Sequence, residues 1–244
     1  MKIIKRINTG LIVVVALMGI GFVVWADTPL GPAPEALSAL ESDSKVTVTI
    51  DSYITFQPRD AQPTTGFIFY PGGRVDYRSY AAPLHEIAAQ GYLVILVPVR
   101  LNLAFFEINA AQPAIDAHPE IQYWVIGGHS LGGVASAVFA KDNSKMNGLI
   151  FWASYPADDS FKNSNIKVVS IYGTNDMAGV QKFEETKKLL PQDTQFIVID
   201  GGNHAQFGDY GPQPGDNPAT ISRAEQQKQT VEASANFLRE LSTP

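Results

Sequence analysis

The sequence predicts an α/β fold in which a mostly parallel sheet is covered by helices on both faces. Short, continuous apolar runs recur along the chain and alternate with segments that have a helical pattern. Strands that are buried on both faces show such runs, whereas half-exposed strands alternate polar and apolar residues. The alternation of strands and helices favours parallel strands joined by helical crossovers. With 244 residues, 45% of them hydrophobic, the chain can bury one substantial core.

The first 26 residues have the pattern of an export signal. Residues 7–26 carry no charge, and three basic residues precede them: Lys2, Lys5 and Arg6. This pattern predicts a segment that stays in the membrane as a single-pass anchor, with the rest of the chain exported. The alternative is cleavage near Ala26, before Asp27, which would release a secreted or periplasmic protein.

Composition limits the partners of the exported part. After the first 26 residues, 15 basic and 24 acidic residues remain, a net charge of −9. This charge argues against a nucleic-acid partner and limits membrane contact to the amino-terminal segment. The chain has no cysteine, and its four histidines are scattered, so we expect no metal and no other cofactor. Composition does not predict the oligomeric state.

The elements follow in order along the chain. Residues 27–45 are predicted to be a proline-stiffened linker with a short helical turn, and residues 46–244 one domain. Alternation from Val46 to Phe56 predicts one half-exposed edge strand. Inner strands are expected at residues 67–70, 92–97, 123–126, 149–152, 168–172 and 196–199. Helices are expected at residues 79–90, 104–117, 131–141, 180–190 and 222–241, the last of which begins with a capping box of Ser222 and Glu225.

A serine flanked by glycines lies between a predicted strand and a predicted helix. Ser130 is the centre of the run Gly128–Gly132, and a sharp strand-to-helix turn of this kind can hold a nucleophile. The motif alone is weak evidence, because chance would supply it in about one chain in ten. The next two strand ends add Asp176 and His204. Ligand sites form at the carboxyl ends of such strands, so we expect the three side chains to meet there.

These residue types suit acyl transfer. A serine hydroxyl needs a base to take its proton, and histidine has a suitable pKa near neutral pH. Asp176 would hold the His204 tautomer, with Asp158 or Asp159 as the fallback acid. The backbone N–H of Leu131 and one from the loop after residue 70 would form the oxyanion hole. In that loop we favour Gly73, followed by Arg74, although Gly72-Gly73 could also be a simple turn.

The strand-end segments resemble those of α/β-hydrolases, in particular the compact group related to dienelactone hydrolases. Four segments carry the resemblance: residues 69–73, 127–133, 172–176 and 202–207. It implies a sheet of about eight strands and serine-hydrolase activity on esters. Dienelactone hydrolase itself has a cysteine nucleophile, which Ser130 replaces in this chain.

The expected activity is ester hydrolysis. The pocket is expected to be open, because the segment between the strands at residues 149–152 and 168–172 is too short for a large cap domain. Candidate substrate-binding residues are Arg74, Phe105, Phe106, Tyr155 and Phe207; the four aromatic side chains would form pocket walls, and any of them could equally belong to the core. Arg74 is expected to pair with Asp76 or point to solvent more readily than to grip an acidic group. Acyl transfer or amide hydrolysis by the same triad is the alternative chemistry, and a non-catalytic binding module is the alternative class.

Overall fold

The computed structural model describes residues 2–242, with side chains from residue 11 onward. Eight strands form one sheet: β1 (Val46–Ile50), β2 (Ile54–Pro58), β3 (Thr65–Tyr70), β4 (Leu93–Leu96), β5 (Tyr123–His129), β6 (Met146–Trp152), β7 (Lys167–Gly173) and β8 (Gln195–Ile199). Their order is β1-β2-β4-β3-β5-β6-β7-β8. The strands from β4 to β8 in this order pair in parallel, and β2 pairs antiparallel with β1 and β4. The predicted fold class is confirmed.

Two strand predictions need correction at the edges of the sheet. The single strand expected from Val46 to Phe56 is a hairpin, because residues 51–53 turn the chain and Asp51 N–H donates to the Tyr53 carbonyl. The run from Phe196 to Ile199 is apolar, yet Val198 is 46% exposed. As β8 has only one neighbour in the sheet, it is an edge strand and not an inner one.

The helices cover both faces of the sheet and split the core into two apolar clusters, one on each face. They are α1 (Lys2–Ala26), α2 (Pro34–Ser38), α3 (Ala81–Ala88), α4 (Gln112–Ala117), α5 (Leu131–Lys141), α6 (Val180–Thr186) and α7 (Arg223–Ser242). The helix expected over residues 104–117 is wrong in its first half, which consists of two 3-10 segments, Ala104–Phe106 and Ile108–Ala111. Proline at the start of α4 has no N–H for a continuous helix.

The segment between α1 and the sheet packs on the rest of the chain. Leu30 forms a parallel bridge with Val75, Ala33 N–H donates to the Asp209 carbonyl, and Ala36 of α2 is wholly buried. Within the described residues, no helix is both long enough and apolar enough to cross a membrane. The predicted anchor falls partly on residues 1–10, which lie outside the described side chains.

The short connection between β6 and β7 runs from residue 153 to residue 166. It adds no strand or α-helix to the sheet. No large cap therefore covers the carboxyl edge of the strands, in agreement with the sequence.

Candidate active site

Ser130 lies on a strained turn between β5 and α5. Its φ of 52° and ψ of −122° are conformations that a non-glycine residue rarely adopts. Two hydrogen bonds hold the turn: Ser130 N–H donates to the Trp152 carbonyl at 3.0 Å, and Ser154 Oγ donates to the Ser130 carbonyl at 2.7 Å. A Cβ at Gly132 would overlap the carbonyl oxygens of Tyr70 and Pro71, so the helix can approach β3 only with glycine there.

The structure brings Asp176 and His204 into contact. His204 Nδ1 lies 2.9 Å from Asp176 Oδ2, and the residues are 5% and 1% exposed. A carboxylate only accepts hydrogen bonds, so Nδ1 carries the proton and Nε2 is left as the basic atom. Asp176 Oδ1 accepts from Ala178 N–H at 2.8 Å, which fixes the carboxylate. The fallback acid Asp158 instead faces solvent and pairs with Lys141.

The His204 ring lies next to the serine turn, where it contacts His129, the residue before Ser130. The imidazole rings of His129 and His204 have their centroids 4.5 Å apart, at an interplanar angle of 48°. His129 immediately precedes Ser130 and is wholly buried. The three predicted triad residues therefore lie on the loops after β5, β7 and β8, at one edge of the sheet.

The sequence analysis missed Asp216, which joins two of these loops. Asp216 Oδ1 accepts from the N–H groups of Met177 and His204, at 3.1 and 3.3 Å. Its Oδ2 accepts from Ala205 N–H at 2.8 Å. Asp216 thus holds the residue after Asp176 and the residues at His204 in one arrangement. The only signal in the sequence is a turn-forming run, Gly215 to Pro218.

A buried glutamine was also missed. Gln226, on α7, is wholly buried; its Oε1 accepts from Asn203 N–H at 2.9 Å and its Nε2 donates to the Asn203 carbonyl at 2.7 Å. These two bonds clamp the residue directly before His204. Nothing in a single polar residue on a helix predicts such a contact, because it depends on which loop the helix packs against.

The backbone N–H groups of the two predicted oxyanion donors, Gly73 and Leu131, have no partner among the described hydrogen bonds. Gly72 N–H donates to Tyr80 Oη, and Arg74 N–H donates to the Asn102 carbonyl at 2.8 Å. Among the described hydrogen bonds, none uses the N–H of Gly73 or of Leu131, the first residue of α5. A Cβ on Gly73 would lie 2.5 Å from the Leu131 side chain, so the two residues are neighbours. Arg74, the second candidate donor, is engaged elsewhere.

The Arg74 side chain binds the end of α1. Its Nε donates to the Trp25 carbonyl and its second guanidinium nitrogen to the Thr28 carbonyl, both at 2.8 Å. The guanidinium also lies over the Trp25 ring, 4.3 Å from the centroid. The expected pairing with Asp76 is wrong, because Asp76 pairs with Arg78. With these contacts, Arg74 is not directed at a substrate group.

The proposed wall residues divide into two groups. Phe105 and Phe106 are 44% and 52% exposed, and Tyr155 is half-buried against Phe183. Phe207 is wholly buried and stacks on His129 with centroids 5.7 Å apart. Its placement as a pocket wall is wrong, because a side chain without exposed surface cannot contact a substrate. It supports the site from behind.

A cavity of about 770 Å³ lies elsewhere, between α2, α3 and α7. Its lining includes His85 and Val231 and none of the triad residues. The triad thus opens at the sheet edge and not into this cavity. Within the described residues, no group of histidine and acidic side chains could hold a metal ion.

Comparison with known proteins places the chain in a family. The model of the alpha/beta hydrolase family matches residues 66–228. The search of curated proteins gives no match. Similar solved structures include the esterase domain of a Rhodothermus marinus protein (13% identity, TM-score 0.59, covering 80% of this chain and 98% of that one). Two others are similar as well.

The dienelactone hydrolase of Anabaena variabilis is 13% identical, with a TM-score of 0.59 over 80% of this chain and 98% of that one. An esterase of Pyrococcus furiosus is 11% identical, with a TM-score of 0.61 over 85% and 94%. At these identities the structures support the fold. The family match spans β3 to α7 and includes all three triad positions. The chain belongs to the alpha/beta hydrolase family.

Proposed function

We propose that this protein is a serine hydrolase that cleaves small carboxylic esters through an acyl-enzyme on Ser130. The observation that carries the proposal is the buried bond from His204 Nδ1 to Asp176 Oδ2, beside the strained serine turn. It leaves His204 Nε2 as a base without a proton at the edge where Ser130 lies. Strain at a residue next to an oriented base is a feature of catalytic sites.

In the acylation step, His204 Nε2 takes the proton from Ser130 Oγ as this oxygen attacks the ester carbonyl. Negative charge then develops on the carbonyl oxygen. The N–H groups of Gly73 and Leu131 would donate to it, and Leu131 adds the positive end of the α5 dipole. When the tetrahedral intermediate collapses, His204 gives its proton to the leaving alkoxide, and the alcohol departs.

In the deacylation step, water takes the place of the alcohol. His204 Nε2 removes a proton from the water, whose oxygen attacks the acyl carbon. Collapse of the second intermediate returns the proton to Ser130 Oγ and releases the carboxylic acid. Asp176 stays ionised throughout and stabilises the imidazolium that forms in each step. Neither step needs a metal or another cofactor.

A fluorophosphonate probe tests the nucleophile. The probe should label the wild-type chain at Ser130 and should not label Ser130→Ala. Ser164→Ala is the matched control, because Ser164 lies in the connection between β6 and β7 and donates only to the Phe161 carbonyl. Equal labelling of wild type and Ser130→Ala would overturn the assignment.

A panel of nitrophenyl esters with increasing acyl length tests the substrate class. Leu131, next to Ser130, is 42% exposed, and Phe106 (52% exposed) belongs to the 3-10 segment that packs on α5; this apolar surface favours an apolar acyl or alcohol group. We expect kcat/KM to rise with acyl length over the first members of the series. Rates that are flat and do not depend on Ser130 would overturn the ester-hydrolase proposal.

We further propose that the protein is exported and that residues 1–26 stay attached as its membrane anchor. The basic start and the apolar run after it support export. Arg74 binds the carbonyls of Trp25 and Thr28, and Ala26 is wholly buried, so cleavage after Ala26 would remove part of these contacts. Mass measurement of the mature chain from membranes tests this: we expect an intact amino terminus, and a mass starting at Asp27 would contradict retention.

A further inference from the structure

His129, the residue before the nucleophile, is a buried polar side chain that the proposed reaction does not use. Both of its ring nitrogens have partners: Nδ1 lies 2.8 Å from Tyr80 Oη, and Nε2 lies 3.1 Å from the His204 carbonyl oxygen. A buried imidazole with two specific contacts is expensive to desolvate and needs both of them. One contact is with the backbone of the proposed catalytic base.

The chemistry of the partners assigns each proton. A carbonyl oxygen can only accept, so His129 Nε2 carries a hydrogen and donates to His204. Burial and the neighbouring His204 hold the pKa of His129 well below its usual value, so the ring is neutral near pH 7. A neutral ring with its hydrogen on Nε2 has a bare Nδ1. Tyr80 must therefore donate its O–H to Nδ1.

Tyr80 continues this series of hydrogen bonds to Gly72, in the loop after β3. Gly72 N–H donates to Tyr80 Oη at 3.0 Å, which occupies the acceptor side of the phenol oxygen. Burial raises the pKa of Tyr80, so the phenol keeps the proton that it donates. A Cβ at Gly72 would lie 2.7 Å from His129 Nδ1 and 2.8 Å from Tyr80 Oη. Glycine is thus required for the backbone to reach the pair.

We infer that Tyr80 and His129 are positioning residues, which join the oxyanion loop to the loop of the catalytic base by a directed hydrogen-bond chain. The chain runs from Gly72 N–H to Tyr80 Oη, from Tyr80 O–H to His129 Nδ1, and from His129 Nε2–H to the His204 carbonyl. It rests on the proposed function, because it assigns roles around Ser130. Its ends adjoin Gly73, a proposed oxyanion donor, and the base itself.

The arrangement has a consequence for catalysis. His204 becomes an imidazolium in the transition state, and the ring of His129 lies against it. A neutral His129 presents no like charge to that imidazolium and allows it to form. The other titratable groups that face His129 are Tyr80 and Tyr210, and burial raises the pKa of both. Both phenols are therefore neutral as well, and neither competes with Asp176.

Two variants, Tyr80→Phe and His129→Met, interrupt the hydrogen-bond chain, and a third, His129→Gln, retains its donor and acceptor. Tyr80→Phe deletes the bonds to Gly72 and His129, and His129→Met deletes those to Tyr80 and His204. In each, we expect kcat for a nitrophenyl ester to fall about 10- to 100-fold with KM changed less than about twofold, because the donors and the base lose alignment while the substrate surface stays. His129→Gln keeps one acceptor and one donor and should recover most of kcat. His118→Gln, at a surface pair with Glu120, is the unchanged control.

The ring nitrogen resonances of His129 give a second test that does not need activity. The chain has four histidines, so one histidine-to-glutamine variant for each assigns them. We expect the tautomer with hydrogen on Nε2, and titration of His129 only well below the pH at which an ordinary histidine titrates. Unchanged kcat in both Tyr80→Phe and His129→Met, a hydrogen on Nδ1, or titration like that of an ordinary histidine would each overturn the inference. An inactive wild type with the expected resonances would instead contradict the proposed function alone.

Discussion

Among the described residues, positive-φ strain at non-glycine positions lies at the carboxyl edge of the sheet. Five non-glycine residues among those described have positive φ: Arg74, Leu101, Asn102, Ser130 and Ala153. They all lie in the loops that follow β3, β4, β5 and β6. Tertiary hydrogen bonds hold Arg74 and Asn102, through Arg74 N–H to the Asn102 carbonyl, and Ala153, through its N–H to the Ile171 carbonyl. Such conformations cost about 1–3 kcal/mol each and persist where surrounding contacts determine them.

At the level of single residues, the proposed role of Asp176 gives a sharp prediction. In Asp176→Asn the side-chain amide can donate to His204 Nδ1. This favours the other tautomer of His204, in which Nδ1 carries no proton and Nε2 carries it. The base is lost without a change in shape. We expect kcat for a nitrophenyl ester to fall about 10³- to 10⁴-fold, with a melting temperature close to that of wild type.

Asp158→Asn is the matched control for this measurement. Asp158 was the alternative acid, and its side chain is 59% exposed and pairs with Lys141. An exposed pair contributes little, so we expect this variant to keep wild-type kcat. A large loss in Asp158→Asn together with a small one in Asp176→Asn would reverse the assignment of the acid.

At the level of elements, α7 positions the loop that carries His204. The cap of this helix was predictable from sequence, and the structure has the Glu225 N–H bonded to Ser222 Oγ at 3.1 Å. Four residues after Ser222, Gln226 reaches the loop, where it forms two bonds with the backbone of Asn203 and accepts a third from Gln206 Nε2 at 3.2 Å. The helix is thus a support for the proposed base as well as a cover for the sheet.

Removal of this support should affect both stability and rate. Gln226→Ala leaves the buried N–H and carbonyl of Asn203 without partners, and we expect a loss of about 2 kcal/mol in the free energy of unfolding. We also expect kcat to fall about tenfold, because His204 is the next residue. Urea unfolding and ester kinetics measure the two effects.

Gln229→Ala is the control on the same helix. Gln229 donates to Glu225 one turn away on the outer side of α7, and this bond should contribute less than about 0.5 kcal/mol. If both variants lost the same stability and rate, the clamp on Asn203 would not be the cause, because alanine is a better helix former than glutamine.

The sequence predicts elements well where the local pattern of apolar residues determines them. It fails where contacts with other parts of the fold determine a residue's or a strand's position. The buried runs of β3 to β7 and the helix α5 have the predicted places because they are apolar and bounded by breakers. The apolar run of β8 does not show that it is an edge strand, since that depends on the absence of a further strand. In the same way, Phe207 is a candidate substrate-binding residue by sequence, yet the structure buries it against His129. Residue type does not show which side chain faces the substrate and which lies behind it.

At the level of the whole molecule, the site joins the loops of strands that are far apart in the sheet. The loop after β3 and the loop after β8 have three strands between them, yet the chain through Tyr80 and His129 links the two. The link is made inside the core, where Phe207 and Tyr210 also pack on His129. One buried ring thus contacts the core and, directly or through Tyr80, both loops.

The pH dependence of the free energy of unfolding should reflect the burial of His129. Burial keeps the pKa of His129 in the folded state well below 6.5, whereas an unfolded histidine binds a proton near pH 6.5. Below that pH the unfolded state binds more protons, so the free energy of unfolding falls as the pH falls, with a limiting slope of about 1.4 kcal/mol per pH unit. His129→Gln lacks this contribution. Between pH 6.5 and 5, we expect the free energy of unfolding of wild type to fall more than that of the variant in urea unfolding. Equal losses would mean that His129 is protonated in the folded protein, and Tyr80 could not then donate to it.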